Sequence, residues 1–200
     1  NHIFQKEHLL ETWFKLLDLE YWGQQPDIYL DDQEIQSYKK LYKSDKPIMV
    51  IQPHGGASPE VPYNWVRDIP PKITKKLIEK YKDTHTIYLI KNPKQPKYKD
   101  VKEEIGSIRR VAILLSMAEK RYLIDSFAQH LAMALRKPST VFWIGTNPKV
   151  FGYDIHNNIK ANPFQLETNS GLYHGRNLTE VIESLPYVNE DCIFDVEKII

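Results

Sequence analysis

A chain of 200 residues, 42% apolar and 26% charged, has the size and composition of an ordinary globular protein with one domain, or one domain and a connecting arm. Its formal net charge of +1 gives no reason to expect a nucleic-acid-binding protein. The single Cys192 excludes an intrachain disulfide framework and fits a reducing compartment, and no apolar run approaches the length of a membrane span.

The first 45 residues are predicted to form a helical arm. Apolar residues at helical spacing indicate a helix over residues 6–20 with one apolar face. An extended segment follows, and residues 33–43 are predicted to form a second, more polar helix. We therefore divide the chain into an arm, residues 1–45, and one domain, residues 46–200. Because the chain opens on Asn1 rather than Met, we expect it to be a piece of a longer protein.

The rest of the chain alternates short apolar runs with amphipathic helices. Continuous apolar runs of this length are typical of strands that are covered on both faces. The pattern predicts the α/β class with a doubly wound, mainly parallel sheet, in which the runs are neighbours. Residues 91–100 are predicted to be a polar loop with little to bury, residues 155–159 a further short strand, and residues 177–184 a short helix. The runs lie at 48–51, 86–90, 122–124 and 140–144, and helices begin near residues 70, 108 and 126.

A helix that begins at Asp125-Ser126, directly after a strand, is a candidate anion site. Open α/β sheets bind ligands at the carboxyl ends of their strands, and a helix start offers free N–H groups and a positive dipole end to a phosphate. Asp and Ser are also preferred N-caps, and from the residues alone capping is the favoured explanation. His130 lies one turn later on the same face, where it can approach the phosphate or pack at the edge of the core.

Other loops at the same edge hold further candidates, each with a simpler alternative. The segment Gly55-Gly56-Ala57-Ser58 follows the first strand and suits either a tight turn or close backbone approach to an anion. Arg67 supplies positive charge, or it is solvated. Lys91-Asn92 ends the second strand, where the two side chains could contact a base or ribose. A charged segment that simply stays exposed to solvent is the more common explanation. The histidines are scattered without metal-ligand spacing, so a zinc site is not expected.

The segment IDSFAQHLAMALRKPSTVFWIGTNP, residues 124–148, resembles the donor-binding motif of the ADP-heptose:lipopolysaccharide heptosyltransferases and related GT-B glycosyltransferases. In that family an Asp-(Ser/Thr)-Gly-x-x-His-Leu-Ala-Ala-Ala helix is followed by a Pro, an apolar strand and a Gly/Thr/Pro loop. Phe127 stands where the family usually has Gly. Ser58 and Trp65 match the family's first loop, where Tyr63-Asn64 replaces a Lys. The matching motif positions are Asp125, Ser126, His130, Leu131, Ala132, Ala134, Pro138, Gly145, Thr146 and Pro148.

The resemblance implies a Rossmann-like, nucleotide-sugar-binding half of a GT-B fold, with residues 1–45 as an interdomain arm and the N-terminal acceptor domain absent. The whole enzyme would transfer a sugar from a nucleoside diphosphate to a saccharide hydroxyl in lipopolysaccharide biosynthesis, and this fragment alone would be inactive. The general base is expected on the absent domain. The implied donor and phosphate site comprises Gly55, Gly56, Ala57, Ser58, Arg67, Asp125, Ser126, Phe127, His130, Gly145 and Thr146, with Lys91 and Asn92 toward the base and ribose.

Partners and location also follow from the resemblance. It implies a nucleotide-sugar donor, a saccharide or glycolipid acceptor, no nucleic acid, and neither a cofactor nor a metal. It implies a cytoplasmic protein, up to the inner face of the membrane, with peripheral membrane association through the full-length protein. A hydrogen-bonding or cationic role is implied for His130. Two alternatives stay open: a nucleotide-sugar epimerase-like enzyme, and a non-catalytic domain that has kept the fold.

Overall fold

The computed structural model of the chain describes residues 6–55, 67–162 and 189–199. The arm contains helix α1, Leu9–Leu16, and helix α2, Asp32–Leu41. The side chain of Asp31 caps α2 by accepting from the N–H groups of Gln33 and Glu34. Helix α1 ends earlier than predicted, because Asp18 adopts the left-handed conformation with φ 54° and turns the chain away.

Six parallel strands form one sheet in the order β3-β2-β1-β4-β5-β6. This confirms the doubly wound parallel sheet, and the four predicted runs lie side by side as β2-β1-β4-β5. The order is that of a Rossmann-type sheet. Two edge strands complete it, of which the first was not predicted. The strands are β1 Ile48–Ile51, β2 Thr86–Ile90, β3 Lys102–Glu104, β4 Lys120–Ile124, β5 Thr140–Trp143 and β6 Asn157–Lys160.

Helices cover both faces of the sheet, so the central strands are buried on both sides. Met49 and Ile51 face a core that contains the apolar side of one helix, whereas Ile48 and Val50 face a second core built from two others. This alternation explains the continuous apolar runs in the sequence. The helices are α3 Pro71–Tyr81 on the first face, α4 Ile108–Met117 and α5 Phe127–Ala134 on the second, α6 Pro148–Phe151, and α7 Val196–Ile199, which follows a short 3₁₀ helix, Glu190–Cys192.

Two predicted details need correction. Helix α5 ends at Ala134 rather than near Lys137, because Arg136 has φ 54° and cannot continue the helix. The loop 91–100 does bury side chains, since Lys91 is 6% exposed and Tyr98 packs against the first core. The predicted helix 177–184 lies outside the described residues. Among the described helices, none has the length and apolarity needed to cross a membrane.

Candidate functional site

A cavity of about 720 Å³ lies at the carboxyl ends of β1, β2, β3 and β4. Strand β1 has β2 on one side and β4 on the other, so the chain crosses over in opposite directions from this point. Open sheets bind ligands at such a switch point. The lining residues include Gln52, His54, Gly55, Arg67, Lys91, Asn92, Glu104, Ile105, Gly106, Ser126 and Phe127.

A second cavity, of about 790 Å³, lies between α3 and residues 191–197. Two of its charged lining groups neutralise each other, since Lys76 Nζ lies 3.1 Å from Asp191 Oδ1. The groups at the switch point include polar atoms without partners, as described below. Its position and its unpaired polar atoms therefore make the switch-point cavity the better candidate for a ligand site, although it is the smaller of the two.

Ser126 marks the start of α5 but does not cap it. Its backbone is extended, with φ −159° and ψ 179°, and its side chain makes no hydrogen bond to the helix. Instead, Ser126 Oγ accepts a hydrogen bond of 3.1 Å from Gln52 Nε2. The capping explanation is therefore wrong for this residue. The first turn of α5 keeps N–H groups that no side chain caps, and the Ser126 hydroxyl proton is free to donate.

Positive charge reaches the cavity through Arg67. Its Nη1 donates to the backbone oxygen of Asp125 at 3.5 Å, and its Nε is buried without a hydrogen-bond partner. Burial raises the pKa of the Asp125 carboxyl, whereas the Thr146 hydroxyl and the Arg67 charge act in the opposite direction. A guanidinium beside a helix start is a suitable arrangement for an anion.

Gly55 contributes space rather than its amide. Its N–H already donates to Asp68 Oδ1 at 2.8 Å. A Cβ at this position would come within 3.1 Å of Ile124 Cδ1 and 3.7 Å of Ser126 Oγ. Glycine therefore lets the backbone lie close to the start of α5. Gly56, Ala57, Ser58 and Trp65 lie outside the described residues.

Asp68, which the sequence analysis overlooked, organises the floor of the cavity through His54. The buried His54 has Nδ1 at 3.3 Å from Asp68 Oδ2 and Nε2 at 3.0 Å from the Tyr98 hydroxyl. Burial raises the pKa of Tyr98 to about 12. A single Asp without motif context carried no signal, because its partners His54 and Gly55 lie 14 and 13 residues away in the sequence.

The carboxyl end of β2 brings Lys91 and Asn92 to the cavity, as the sequence placed them. The expectation that this charge run stays in water is wrong for Lys91. Its side chain is fully buried, and its Nζ lies 3.3 Å from Glu103 Oε1. The hydrogen bond of Lys91 N to Glu104 O, 3.1 Å long, ties the end of β2 to β3. Whether Lys91 and Asn92 contact a base or ribose stays a prediction.

A buried carboxylate at the end of β3 shapes the opposite wall. Glu104, only 2% exposed, accepts hydrogen bonds from the Tyr42 hydroxyl at 2.6 Å, Arg110 Nη2 at 3.0 Å and Gly106 N at 2.6 Å. A Cβ on Gly106 would collide with Glu104 Oε1 and with Arg110. The wall formed by residues 104–106 is therefore fixed by the arm, through Tyr42, and by α4, through Arg110.

His130 is not among the residues that line the cavity. Its Nδ1 lies 2.8 Å from the Tyr153 hydroxyl, and the two rings meet edge to face. Burial lowers the pKa of His130 to about 4, with smaller contributions from His8 and His156. The lowered pKa favours a neutral imidazole at neutral pH over a cationic one, and the placement favours a histidine packed at the edge of the core. Contact between His130 and a ligand stays a prediction.

Of the remaining candidates, Phe127 lines the cavity, whereas Gly145 and Thr146 do not. Thr146 is buried close to Asp125, in the loop that follows β5, and Gly145 precedes it. Phe127, where the resembling family has Gly, is 40% exposed and forms part of the lining. Within residues 6–55, 67–162 and 189–199, no three His, Cys, Asp or Glu side chains are grouped so as to hold a metal ion.

Several solved glycosyltransferase structures share this fold. A glycosyl transferase family 9 protein from Veillonella parvula matches with a TM-score of 0.59 at 13% identity, over 97% of this chain and 58% of its own length. The Escherichia coli ADP-heptose lps heptosyltransferase II matches with a TM-score of 0.52 at 15% identity, over 72% of this chain and 47% of its own. The Escherichia coli heptosyltransferase WaaC with ADP matches with a TM-score of 0.53 at 16% identity, over 94% of this chain and 53% of its own length.

These likenesses confirm, at the level of the fold, the resemblance that the motif suggested. The chain spans about half the length of the solved structures that it matches. No protein-family model and no curated protein matches the chain.

Proposed function

We propose that this chain is the donor-binding domain of a GT-B glycosyltransferase of the heptosyltransferase type, and that it binds the diphosphate of a nucleotide sugar. The observation that carries the proposal is the switch-point cavity, in which the uncapped start of α5, Ser126 and Arg67 meet. Each of these groups donates hydrogen bonds or carries positive charge, as a diphosphate requires. The similar heptosyltransferase with ADP supports the choice of a nucleoside diphosphate.

The chemistry assigned to this domain is electrostatic. When a sugar leaves a nucleoside diphosphate, negative charge grows on the departing phosphate, and fixed donors stabilise it without reorganising. Arg67 and the first turn of α5 would do this without a metal. The residue that activates the acceptor hydroxyl would lie on the domain that this chain lacks, together with the acceptor site. We extend the proposal to a saccharide or glycolipid acceptor and to a cytoplasmic location at the membrane surface.

A titration of the chain with ADP, UDP and GDP, followed by amide chemical shifts, tests the site directly. We expect weak binding, because the proposal assigns the other half of the cleft to a separate domain, with the largest shifts at Gly55, Lys91, Asn92, Ser126 and Phe127. Adenosine, which lacks the diphosphate, should bind more weakly than ADP. Shifts centred on residues 191–197, or no binding at millimolar concentrations, would contradict the proposal.

A matched pair of arginine variants separates specific recognition from general attraction. Arg67→Gln should weaken ADP binding about tenfold or more, since a hydrogen bond to a charged group is worth roughly 1.5–3 kcal/mol. Arg136→Gln removes the same charge from the arm side, where Arg136 Nη2 pairs with Asp27 at 2.6 Å, and should leave affinity unchanged. Equal losses in both variants would mean that only net charge matters.

The alternatives predict different results. An epimerase-like enzyme would convert a nucleotide sugar into its epimer without any acceptor, which chromatography of the products would detect. A non-catalytic domain with a lost site would not bind a nucleoside diphosphate at all. The unpartnered Arg67 Nε and the free Ser126 hydroxyl favour a site that still binds.

A further inference from the structure

Gln52 occupies the position directly after β1, at the switch point itself. It is 3% exposed and lines the cavity. Its Nε2 donates to Ser126 Oγ at 3.1 Å and to His54 O at 3.4 Å, and its backbone N–H donates to Tyr122 O at 2.9 Å. The side chain therefore lies between the ends of β1 and β4 and contacts Ser126, the residue that begins α5.

The orientation of this amide determines what Ser126 can do. A backbone carbonyl such as His54 O only accepts, so the nitrogen of the Gln52 amide faces that side. Ser126 Oγ then uses a lone pair to accept from Gln52, and its proton points elsewhere. With no bond from Ser126 to its own helix, that proton is available to an acceptor in the cavity. Gln52 thus makes Ser126 a hydrogen-bond donor, which a phosphate oxygen requires.

The other end of the same amide is unsatisfied. Gln52 Oε1 is buried without a hydrogen-bond partner, and so is Arg67 Nε, which belongs to another residue of the same lining. Buried polar atoms without partners are uncommon, and beside a cavity a bound group or a water molecule can complete their bonding. Here one atom is an acceptor and the other a donor. A molecule that carries an anionic oxygen beside a hydroxyl group would satisfy both.

We propose that Gln52 is a positioning residue of the phosphate site, which orients the Ser126 hydroxyl through Nε2 and accepts a hydroxyl of the bound molecule through Oε1. This role rests on the proposed function and extends it. It identifies the residue that orients the Ser126 hydroxyl and the ligand group that this residue binds. The ligand class is a phosphorylated sugar or nucleotide, in which phosphate oxygens and hydroxyl groups are neighbours.

The variant Gln52→Met tests this role with little change in side-chain size. Methionine removes an unsatisfied acceptor, which offsets part of the loss of the two bonds from Nε2, so the unfolding temperature should stay close to that of the wild type. Affinity for ADP, measured by isothermal titration calorimetry, should nevertheless fall about tenfold. Affinity for pyrophosphate should fall less, because pyrophosphate has no hydroxyl group for Oε1 to accept. A structural role would give the reverse, with lower thermal stability and unchanged affinity.

Gln129→Met is the matched control. Gln129 is also fully buried and has an unpartnered Oε1, but it lies on the far side of α5, where its Nε2 donates to Phe151 O at 2.8 Å. It does not line the cavity. This variant removes the same pair of amide atoms from a buried site and should keep the wild-type affinity for ADP.

A double variant tests whether Gln52 acts through Ser126. If it does, Gln52→Met combined with Ser126→Ala should weaken pyrophosphate binding no more than Ser126→Ala alone. Additive losses, or wild-type ADP affinity in Gln52→Met, would overturn the inference while leaving the proposed function standing. Failure of the wild-type chain to bind ADP, UDP or GDP would overturn both.

Discussion

At the scale of single residues, the site depends on donors that the fold leaves unused. Ser126 has the sequence position of a helix cap, yet its oxygen accepts from Gln52 and not from its own helix. Arg67 likewise keeps a buried nitrogen without a partner. Residues that leave such groups unpaired stabilise the fold less than they could, and this is typical of ligand sites.

The absence of a cap makes the effect of Ser126→Ala predictable. Removing a capping serine usually costs about 1 kcal/mol of stability, but no cap is lost here, so we expect about half of that or less. Affinity for ADP should fall tenfold or more, because a bond to a charged group is worth roughly 1.5–3 kcal/mol. Chemical denaturation and calorimetry measure the two effects.

Ser116→Ala provides the comparison for Ser126→Ala. Ser116 Oγ donates to Ile113 O within α4, away from the cavity, so its removal should leave nucleotide affinity unchanged. If Ser126→Ala lost stability as a cap does and bound ADP as the wild type does, the serine would have no part in binding.

At the scale of elements, the cavity wall depends on three segments that meet at one carboxylate. Glu104 ends β3, Tyr42 follows α2, and Arg110 lies in the first turn of α4. Burial and the bond to Glu104 raise the pKa of the Tyr42 hydroxyl, so it remains a proton donor at all ordinary pH values. The arm therefore contributes to the site without touching it.

The variant Tyr42→Phe should cost about 1.5–3 kcal/mol of stability, because it removes a buried hydrogen bond to a charged group. Urea unfolding followed by circular dichroism measures the change. The same substitution at Tyr29, which is 87% exposed, should have no effect. Equal stability of the two variants would show that the Glu104 network does not hold the arm.

At the scale of the whole molecule, buried histidines make stability depend on pH. His130 and His156 lie around Tyr153, and burial lowers the pKa of both. His8 of the arm joins the same group, with Nε2 at 2.8 Å from Gly152 O. Protonation of His130 or His156 would place charge where the fold excludes water.

The direction in which stability changes with pH follows from the lowered pKa of His130, which is about 4 in the folded chain against the ordinary value of 6.5. The unfolded state binds the proton first as the pH falls, so stability is present above pH 6.5 and is lost between there and pH 4. We expect His130 alone to account for about 2 kcal/mol between pH 7 and pH 5. Denaturation curves at several pH values measure this slope.

His130→Gln should flatten the slope, because glutamine does not titrate. The comparison needs the pH range from 7 to 5, above the titration of paired carboxylates such as Glu34, whose pKa the Arg109 hydrogen bond lowers further. An unchanged slope in the variant would assign the acid sensitivity to other groups.

The sequence by itself determined the central sheet and the start of α5. Strands β1, β2, β4 and β5 are buried on both faces, and this leaves apolar runs that a single sequence displays. The edge strand β3, with the sequence Lys-Glu-Glu, pairs with β2 through its backbone and leaves no apolar signal. The motif placed Ser126 correctly for the same reason as the strands, because a strand end followed by a helix start is a local pattern.

Only the tertiary structure decided which polar groups meet. Gln52 and Ser126 are separated by 74 residues, and Tyr42 and Glu104 by 62, so no local spacing relates them. The same holds for His130, whose partner Tyr153 lies 23 residues away in the sequence. Hydrogen bonds of this kind depend on where distant elements pack, and burial changes the pKa values only after that packing exists. Hydrophobic patterning repeats along the chain and is visible locally, whereas a polar site forms from residues that are distant in the sequence and meet only in the folded structure.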